Sequence, residues 1–144
     1  MAAISSISNG EALSSVRTKL NSVITEVNLL DPTDWIDYSA TSTIVGWASF
    51  TTKQIRYRVI GKQVFVNVIL EGTSNNTATT FTLPTNCVSK TYNTNWAVNN
   101  GTSVIGTVQM NVSSNIVTCY QQYTSSWIAS GTKYVWCQFF YEIA

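Results

Sequence analysis

Carboxylates and histidines do most enzymatic acid–base chemistry, and this chain is poor in both. It has no histidine, and between residues 39 and 141 its only acidic residue is Glu71. The other acids of the region are Asp34, Asp37 and Glu142. A Ser-His-Asp triad needs histidine, and a glycosidase needs two facing carboxylates. The sequence therefore predicts no catalytic residues and no enzyme, and a carboxylate pair formed across a subunit interface is the one alternative left open.

The cysteines do not suggest a metal or cofactor site. Cys87, Cys119 and Cys137 have no metal-ligand spacing, and the chain has no glycine-rich phosphate loop. Cys119 and Cys137 lie inside apolar strand patterns, so we expect them to be small buried hydrophobic residues. Free buried cysteines are consistent with folding in a reducing cytoplasm. The sequence thus predicts neither a metal nor a cofactor.

Binding chemistry is better represented than catalysis. Aromatic rings can stack on the apolar faces of sugars, and amides can hydrogen-bond sugar hydroxyls. Two predicted loop regions combine these side chains, namely Tyr92, Asn93, Asn95 and Trp96 in the first, and Gln121, Gln122, Tyr123 and Trp127 in the second. We consider them candidate glycan-binding residues. The alternative for each cluster is packing in the core or at a subunit interface.

An N-terminal heptad pattern is the element most able to organise several chains. Its apolar residues are separated by alternating gaps of three and four: Leu13, Val16, Leu20, Val23, Val27 and Leu30. This pattern predicts a helix over residues 11–31 with a narrow apolar seam, which needs partner helices to cover it. Leucine mostly at one core position and valine at the other favours three or more strands, so we expect a parallel trimer. The alternative is an amphipathic helix packed on its own domain.

From residue 44 the apolar period changes to two, which predicts strands. A hairpin is expected from residues 54–60 and 63–71 around Gly61, and a second from 103–112 and 116–123. A long final strand follows at 132–143. Arg56 and Arg58 share one face of the first strand, where they either pair with acids of a neighbouring subunit or keep an edge strand soluble. We expect an antiparallel β-sandwich, of jelly-roll type.

Charge and hydropathy limit the partners. Eight basic and seven acidic residues give a net charge of +1, without a basic stripe, so nucleic acid is not an expected partner. No apolar run approaches the length of a membrane span, and the first ten residues lack the pattern of a signal peptide.

Three segments together resemble a known family. The stretches ALSSVRTKLN, IRYRVIGKQVFVNVILEGTSNNTATTFTLP and ASGTKYVWCQFFYEI are similar to those of small trimeric fibre and receptor-binding proteins of tailed bacteriophages, including head fibres and tail-fibre tips. The resemblance covers about residues 9–144. The family has no shared catalytic set, so the resemblance implies architecture alone.

The resemblance and the heptad pattern together predict a homotrimeric virion fibre. Residues 1–10 would dock on a capsid or tail protein, 11–31 would form the trimeric coiled coil, 32–43 would connect, and 44–144 would form the β-sandwich head. Assembled in the host cytoplasm and carried on the virion surface, the fibre would adhere to a host surface or glycan. The alternatives are a structural decoration or connector protein without a ligand, and a stand-alone lectin-like β-sandwich.

Overall fold

The computed structural model describes residue 10 and residues 12–30, 34–99, 105–122 and 125–144. The chain divides into two compact units, Met1–Pro32 and Thr33–Ala144. Residues 1–9, which make up nearly all of the predicted docking segment, lie outside the described residues, as does Tyr123. Most of the predicted connector belongs to the second unit, where it supplies the short strand β1 (Ile36–Asp37).

The first unit contains helix α1, Leu13–Leu30, as the heptad pattern predicts. Hydroxyl side chains on the polar side of the helix donate to carbonyl oxygens one turn earlier, with Thr18 bonded to Ser14 and Ser22 bonded to Thr18, each at 3.0 Å. Such bonds keep serine and threonine satisfied in a helix, although these residues are only moderate helix formers. The helix that the heptad pattern predicts is therefore confirmed.

The second unit is antiparallel β-structure throughout its named strands. After β1, these are β2 (Ile44–Val45), β3 (Trp47–Ile60), β4 (Gln63–Ser74), β5 (Thr80–Thr82), β6 (Asn93–Asn99), β7 (Ile105–Met110), β8 (Ile116–Tyr120) and β9 (Thr132–Glu142). The ladder order is β1-β3-β4-β9-β6-β7-β8-β5-β2. Among the described residues, one pair, Asn99 with Trp136, joins β6 to β9. The ladder thus divides there into two antiparallel sheets.

Strand β4 is the centre of the first sheet and lies between β3 and β9, with register shifts in its ladder to β3 between Trp47 and Ser49 and between Phe50 and Thr52. It forms the expected hairpin with β3 around Gly61, and it pairs with β9 along its length. The burial of its side chains alternates strictly along the strand. Val64, Val66, Val68 and Leu70 are fully buried, and the residues between them are half-buried. This alternation gives the sheet one core face and one outward face.

The core is a single cluster to which both sheets contribute. The first sheet supplies the inward residues of β3, β4 and β9, and the second supplies buried side chains of β5, β7 and β8, such as Phe81, Val108 and Val117. All three cysteines are buried and free. The sequence prediction of a mostly β chain with one short helix is confirmed in this form.

One charged side chain lies inside this core. Lys133 on β9 is 1% exposed, and its ammonium group donates to the carbonyl oxygens of Gly46 (2.8 Å) and Asn76 (2.9 Å) and to the hydroxyl of Thr79 (2.9 Å). Its Nζ also lies 4.9 Å from the ring centroid of Trp47. The three oxygens satisfy all its donors, so the lysine ties two separate segments, around Gly46 and around residues 76–79, to the start of β9.

Candidate functional site

The outward face of the first sheet is the surface with the most distinctive chemistry. We call outer face the side chains of β3, β4 and β9 that point away from the core. The registers of β3–β4 and β4–β9 arrange them in transverse rows. The ring row is Arg58, Phe65 and Phe140; the amide row is Arg56, Asn67 and Gln138; the tryptophan row is Gln54, Ile69 and Trp136.

The ring row and the tryptophan row present exposed aromatic surface. Phe140 is 60% exposed and Trp136 is 39% exposed, although both belong to a long β-strand in the middle of the ladder. The rings of Phe65 and Phe140 contact each other with centroids 5.9 Å apart. Tyr134 meets Trp136 edge to face at 6.0 Å and so holds the indole in place. These rings offer flat, preorganised apolar surfaces to a ligand.

The amide row lies between these two aromatic rows. Neighbouring rows are two residues apart along the strands, which corresponds to about 7 Å. A shallow depression of about 320 Å³ extends from Asn67 and Gln138 to Ile69 and Trp136, and its floor is completed by Val68 and Cys137. Within the described part of the chain, neither amide has a side-chain hydrogen-bond partner. Two amides able to donate and accept are therefore free for a ligand between aromatic rings.

Arg58 occupies an unusual position at the edge of this face. Its guanidinium carbon lies 5.1 Å from the ring centroid of Trp35 and 5.2 Å from that of Phe65. The rings favour the cation by cation–π attraction. Its Nε is buried without a hydrogen-bond partner. In the described residues Arg58 also lacks an ion-pair partner.

Arg56, in the amide row, is better compensated than Arg58. With the amide of Gln54 turned so that its oxygen faces the guanidinium, this oxygen accepts hydrogen bonds from Arg56 at 2.6 and 3.1 Å. Asp37 of β1 stands opposite Arg56 in the register. The hydrogen bonds from Ser39, and to a smaller extent the charge of Arg56, hold the pKa of Asp37 below its usual value. β3 is covered by β1 at this point, so it is not a bare edge strand.

The carboxylates of the two long strands do not face each other within one chain. Glu142 pairs in register with Gln63, and Glu71 lies eight positions further along β4. At about 3.4 Å per residue the two are separated by about 27 Å, whereas glycosidase carboxylates are about 5–9.5 Å apart. Glu71 accepts from Thr52, and Glu142 is paired with Lys90 at 2.7 Å. The hydrogen bond from Lys90 is the main reason why the pKa of Glu142 is lowered.

The first predicted loop cluster is distributed over a loop and a strand. Tyr92 is exposed, whereas the side-chain nitrogen of Asn93 donates to the Ser89 hydroxyl (2.6 Å) and the Thr91 carbonyl (2.9 Å). Asn95 and Trp96 belong to β6 and not to a loop, and their side chains lie outside the described part. Tyr92 is thus the one member for which the structure describes a freely exposed ring.

The second predicted cluster is corrected by the position of Trp127. This tryptophan is buried in the core, and its indole N–H donates to the Cys119 carbonyl oxygen at 3.1 Å. It cannot stack on a sugar from there. The backbone N–H of Gln121 donates to the Ser125 carbonyl oxygen at 3.0 Å, and Gln122 forms a β-bridge with Ser125. Sequence reasoning placed Trp127 on the surface because its segment, outside any strand pattern, gives no periodic signal.

The helical seam is the other surface with unsatisfied apolar area. Within the single chain, Leu13 is 87% exposed and Leu20 is 52% exposed, while Val16 and Val23 are half-buried. The side chains of Val27 and Leu30 are outside the described part. A stripe of exposed leucines and half-buried valines on a regular helix is the surface that coiled-coil partners cover.

Comparison with protein-family models, with curated proteins and with solved structures gives no match. In the described part of the chain, no helix has the length and apolarity needed to cross a bilayer, and no group of three or more potential metal ligands is found.

Proposed function

We propose that the chain is a homotrimeric fibre protein whose helix joins the subunits and whose β unit binds carbohydrate through its outer face. The observation that carries the binding role is the amide row. Asn67 and Gln138 have free hydrogen-bonding groups in a depression between exposed rings. Small-molecule sites commonly combine apolar walls with a few polar groups that fix orientation, and this depression is at the lower end of their usual volumes.

The trimer is supported by the seam. A lone helix of this length is only marginally stable in water, and its exposed leucines Leu13 and Leu20 gain most from burial between helices. We further propose that the β unit is a sandwich of jelly-roll type, since both of its sheets contribute to one core. The resemblance to phage fibre proteins adds the virion as the place where such a trimer works, with docking through residues 1–10 and adhesion to a host surface.

The oligomeric part is tested by the native mass of the full chain in sedimentation equilibrium. We expect three times the chain mass of 15.9 kDa. Leu20→Glu puts a charge into the seam and should dissociate the trimer. Ser22→Glu is the matched control, because Ser22 is exposed on the polar side of the same helix and its change should leave the mass unaltered. A monomer for the unmodified chain would refute the trimer.

The binding part is tested on a saccharide array with the same full-length protein. Phe140→Ala and Gln138→Ala remove one ring and one free amide from the outer face, and each should reduce binding at least tenfold. Ile128→Ala is the control, since Ile128 is an exposed apolar residue of the loop before β9. If Tyr92→Ala abolishes binding while the outer-face variants retain it, the predicted loop cluster is the site instead.

A further inference from the structure

We infer that the carbohydrate bound by the outer face is acidic, and that Arg58 receives its carboxylate. This inference rests on the proposed function, because it specifies the ligand of the same face. The evidence is the state of the guanidinium. It lies between the rings of Trp35 and Phe65, and the described residues offer it no carboxylate.

The two rings determine how an anion can approach. Because they lie near the guanidinium at similar distances, they shield it from water and favour its charge, while hydrogen bonds are made at its in-plane edge. A planar guanidinium binds a planar carboxylate through two parallel hydrogen bonds. The arrangement therefore suits a carboxylate that comes in at the edge of the face.

The rows fix where the rest of such a ligand would lie. Arg58 and the amide row are about 7 Å apart, which places an anionic substituent beside a sugar held by Asn67 and Gln138. A further sugar could then stack on Trp136 in the tryptophan row. Arg56 adds a second positive charge beside the amides, only partly balanced by Asp37.

The charge of the outer face favours an acidic glycan over a second copy of this chain as its binding partner. The core of a protein interface is normally depleted of unpaired charge, because an unpaired buried ion is costly. The outer face carries two arginines. Of its carboxylates, Glu71 bonds to Thr52 beyond the tryptophan row, and Glu142, next to the ring row, is paired with Lys90. Covering Arg58 with an identical face would bring like charges together, whereas an acidic saccharide would neutralise it.

The experiment measures binding of oligogalacturonate, oligoglucuronate and sialyl oligosaccharides, each beside its methyl ester, by titration calorimetry of the full-length protein. The ester retains the sugar rings and removes the charge. We expect at least one acid to bind roughly ten- to hundredfold more tightly than its ester, which is the usual worth of a charge-assisted hydrogen bond. A sulfated oligosaccharide of neutral backbone is included, and a preference for it over every carboxylate would overturn the assignment to carboxylate.

Arg58→Gln should reduce the acid-to-ester ratio to within about twofold, while binding of the ester is retained. Lys53→Gln removes the same charge from the same strand without touching the rows and should preserve the ratio. Equal binding of acid and ester by the unmodified protein would overturn the inference and leave carbohydrate binding intact. Binding of no saccharide would overturn both. A change of native mass in Arg58→Gln would show that this face is a subunit interface, which also refutes the inference.

Discussion

The Lys133 ammonium group donates a hydrogen bond to the Gly46 carbonyl oxygen at 2.8 Å, across 87 residues of sequence and inside the core. The bond depends on the small size of Gly46. A Cβ at that position would lie 2.4 Å from the Ala78 carbonyl oxygen and 2.9 Å from the lysine Nζ. Lys133, Gly46 and the loop that contains Ala78 therefore depend on one another. Together they stabilise the sheet that carries the outer face.

Replacing Lys133 with methionine should lower the free energy of unfolding by about 2–4 kcal/mol. Methionine fills a similar volume, but it leaves the acceptors of Gly46 and Thr79 buried without their donor. Urea denaturation of the full chain measures the change. Lys62→Met in the exposed hairpin turn is the control and should stay within about 0.5 kcal/mol. A loss below about 1 kcal/mol for Lys133→Met would contradict the structural role.

Gly46→Ala should be more damaging than Gly61→Ala. Both glycines have positive φ, +111° and +60°, so either alanine has a backbone cost of about 1 kcal/mol. Only at Gly46 does the added Cβ collide with neighbouring atoms, since nothing lies within 4 Å of the corresponding point at Gly61. We expect thermal unfolding to show at least twice the destabilisation for Gly46→Ala. Equal losses would mean that Ala78 moves away without cost.

The stability contributed by Lys133 should rise with pH in the alkaline range. Desolvation lowers its pKa from 10.5 to about 8. Between these values the unfolded chain holds the proton and the folded protein has released it, so this contribution grows by up to about 1.4 kcal/mol per pH unit and is lost as the pH falls back through 8. The buried thiols act in the opposite direction, because burial raises the pKa of Cys119 to about 12 and raises that of Cys137.

The contribution of Lys133 is obtained as a difference between two unfolding free energies. We expect the unfolding free energy of the unmodified protein minus that of Lys133→Met to increase between pH 7.5 and 10, because the thiols are present in both and cancel. The measurement is a set of urea titrations at half-unit pH intervals. A difference that is flat or falls over this interval would show that the ammonium group keeps its ordinary pKa in the core.

The three cysteines should not react in the folded protein. All are buried, and desolvation raises the pKa of each, which depletes the reactive thiolate. With Ellman's reagent at pH 8 we expect no rapid release of chromophore, and three equivalents after addition of guanidinium chloride. Rapid labelling of one equivalent under native conditions would point to local opening at that cysteine.

Short-range patterns in the sequence predicted the helix, both hairpins and the last strand. Strict alternation in Val64–Leu70 separated the two faces of β4, since the side-chain period of a strand needs only neighbouring residues to be read. The same alternation also puts Lys133 in phase with Val135 and Cys137, so its burial could have been inferred from the sequence.

The outer face could not be predicted in the same way. Phe65, Asn67 and Ile69 share one side of β4, but their meeting with Phe140, Gln138 and Trp136 depends on a pairing between distant strands. No local signal specifies that partner or its register. Sequence reasoning therefore sought a sugar site in aromatic loops and placed Trp127 there, although the structure buries it.

The place of β9 in the middle of the ladder has a consequence for how the chain is made. β4 and β9 are neighbours in the sheet but are separated by four other strands in synthesis order. Until β9 emerges, β4 has an open edge. Such a delay between non-local partners slows folding and exposes strand edges that aggregate. Nascent chains of this protein should therefore depend on chaperones that hold unfolded chains. Translation products truncated before β9 should aggregate instead of folding into native subunits.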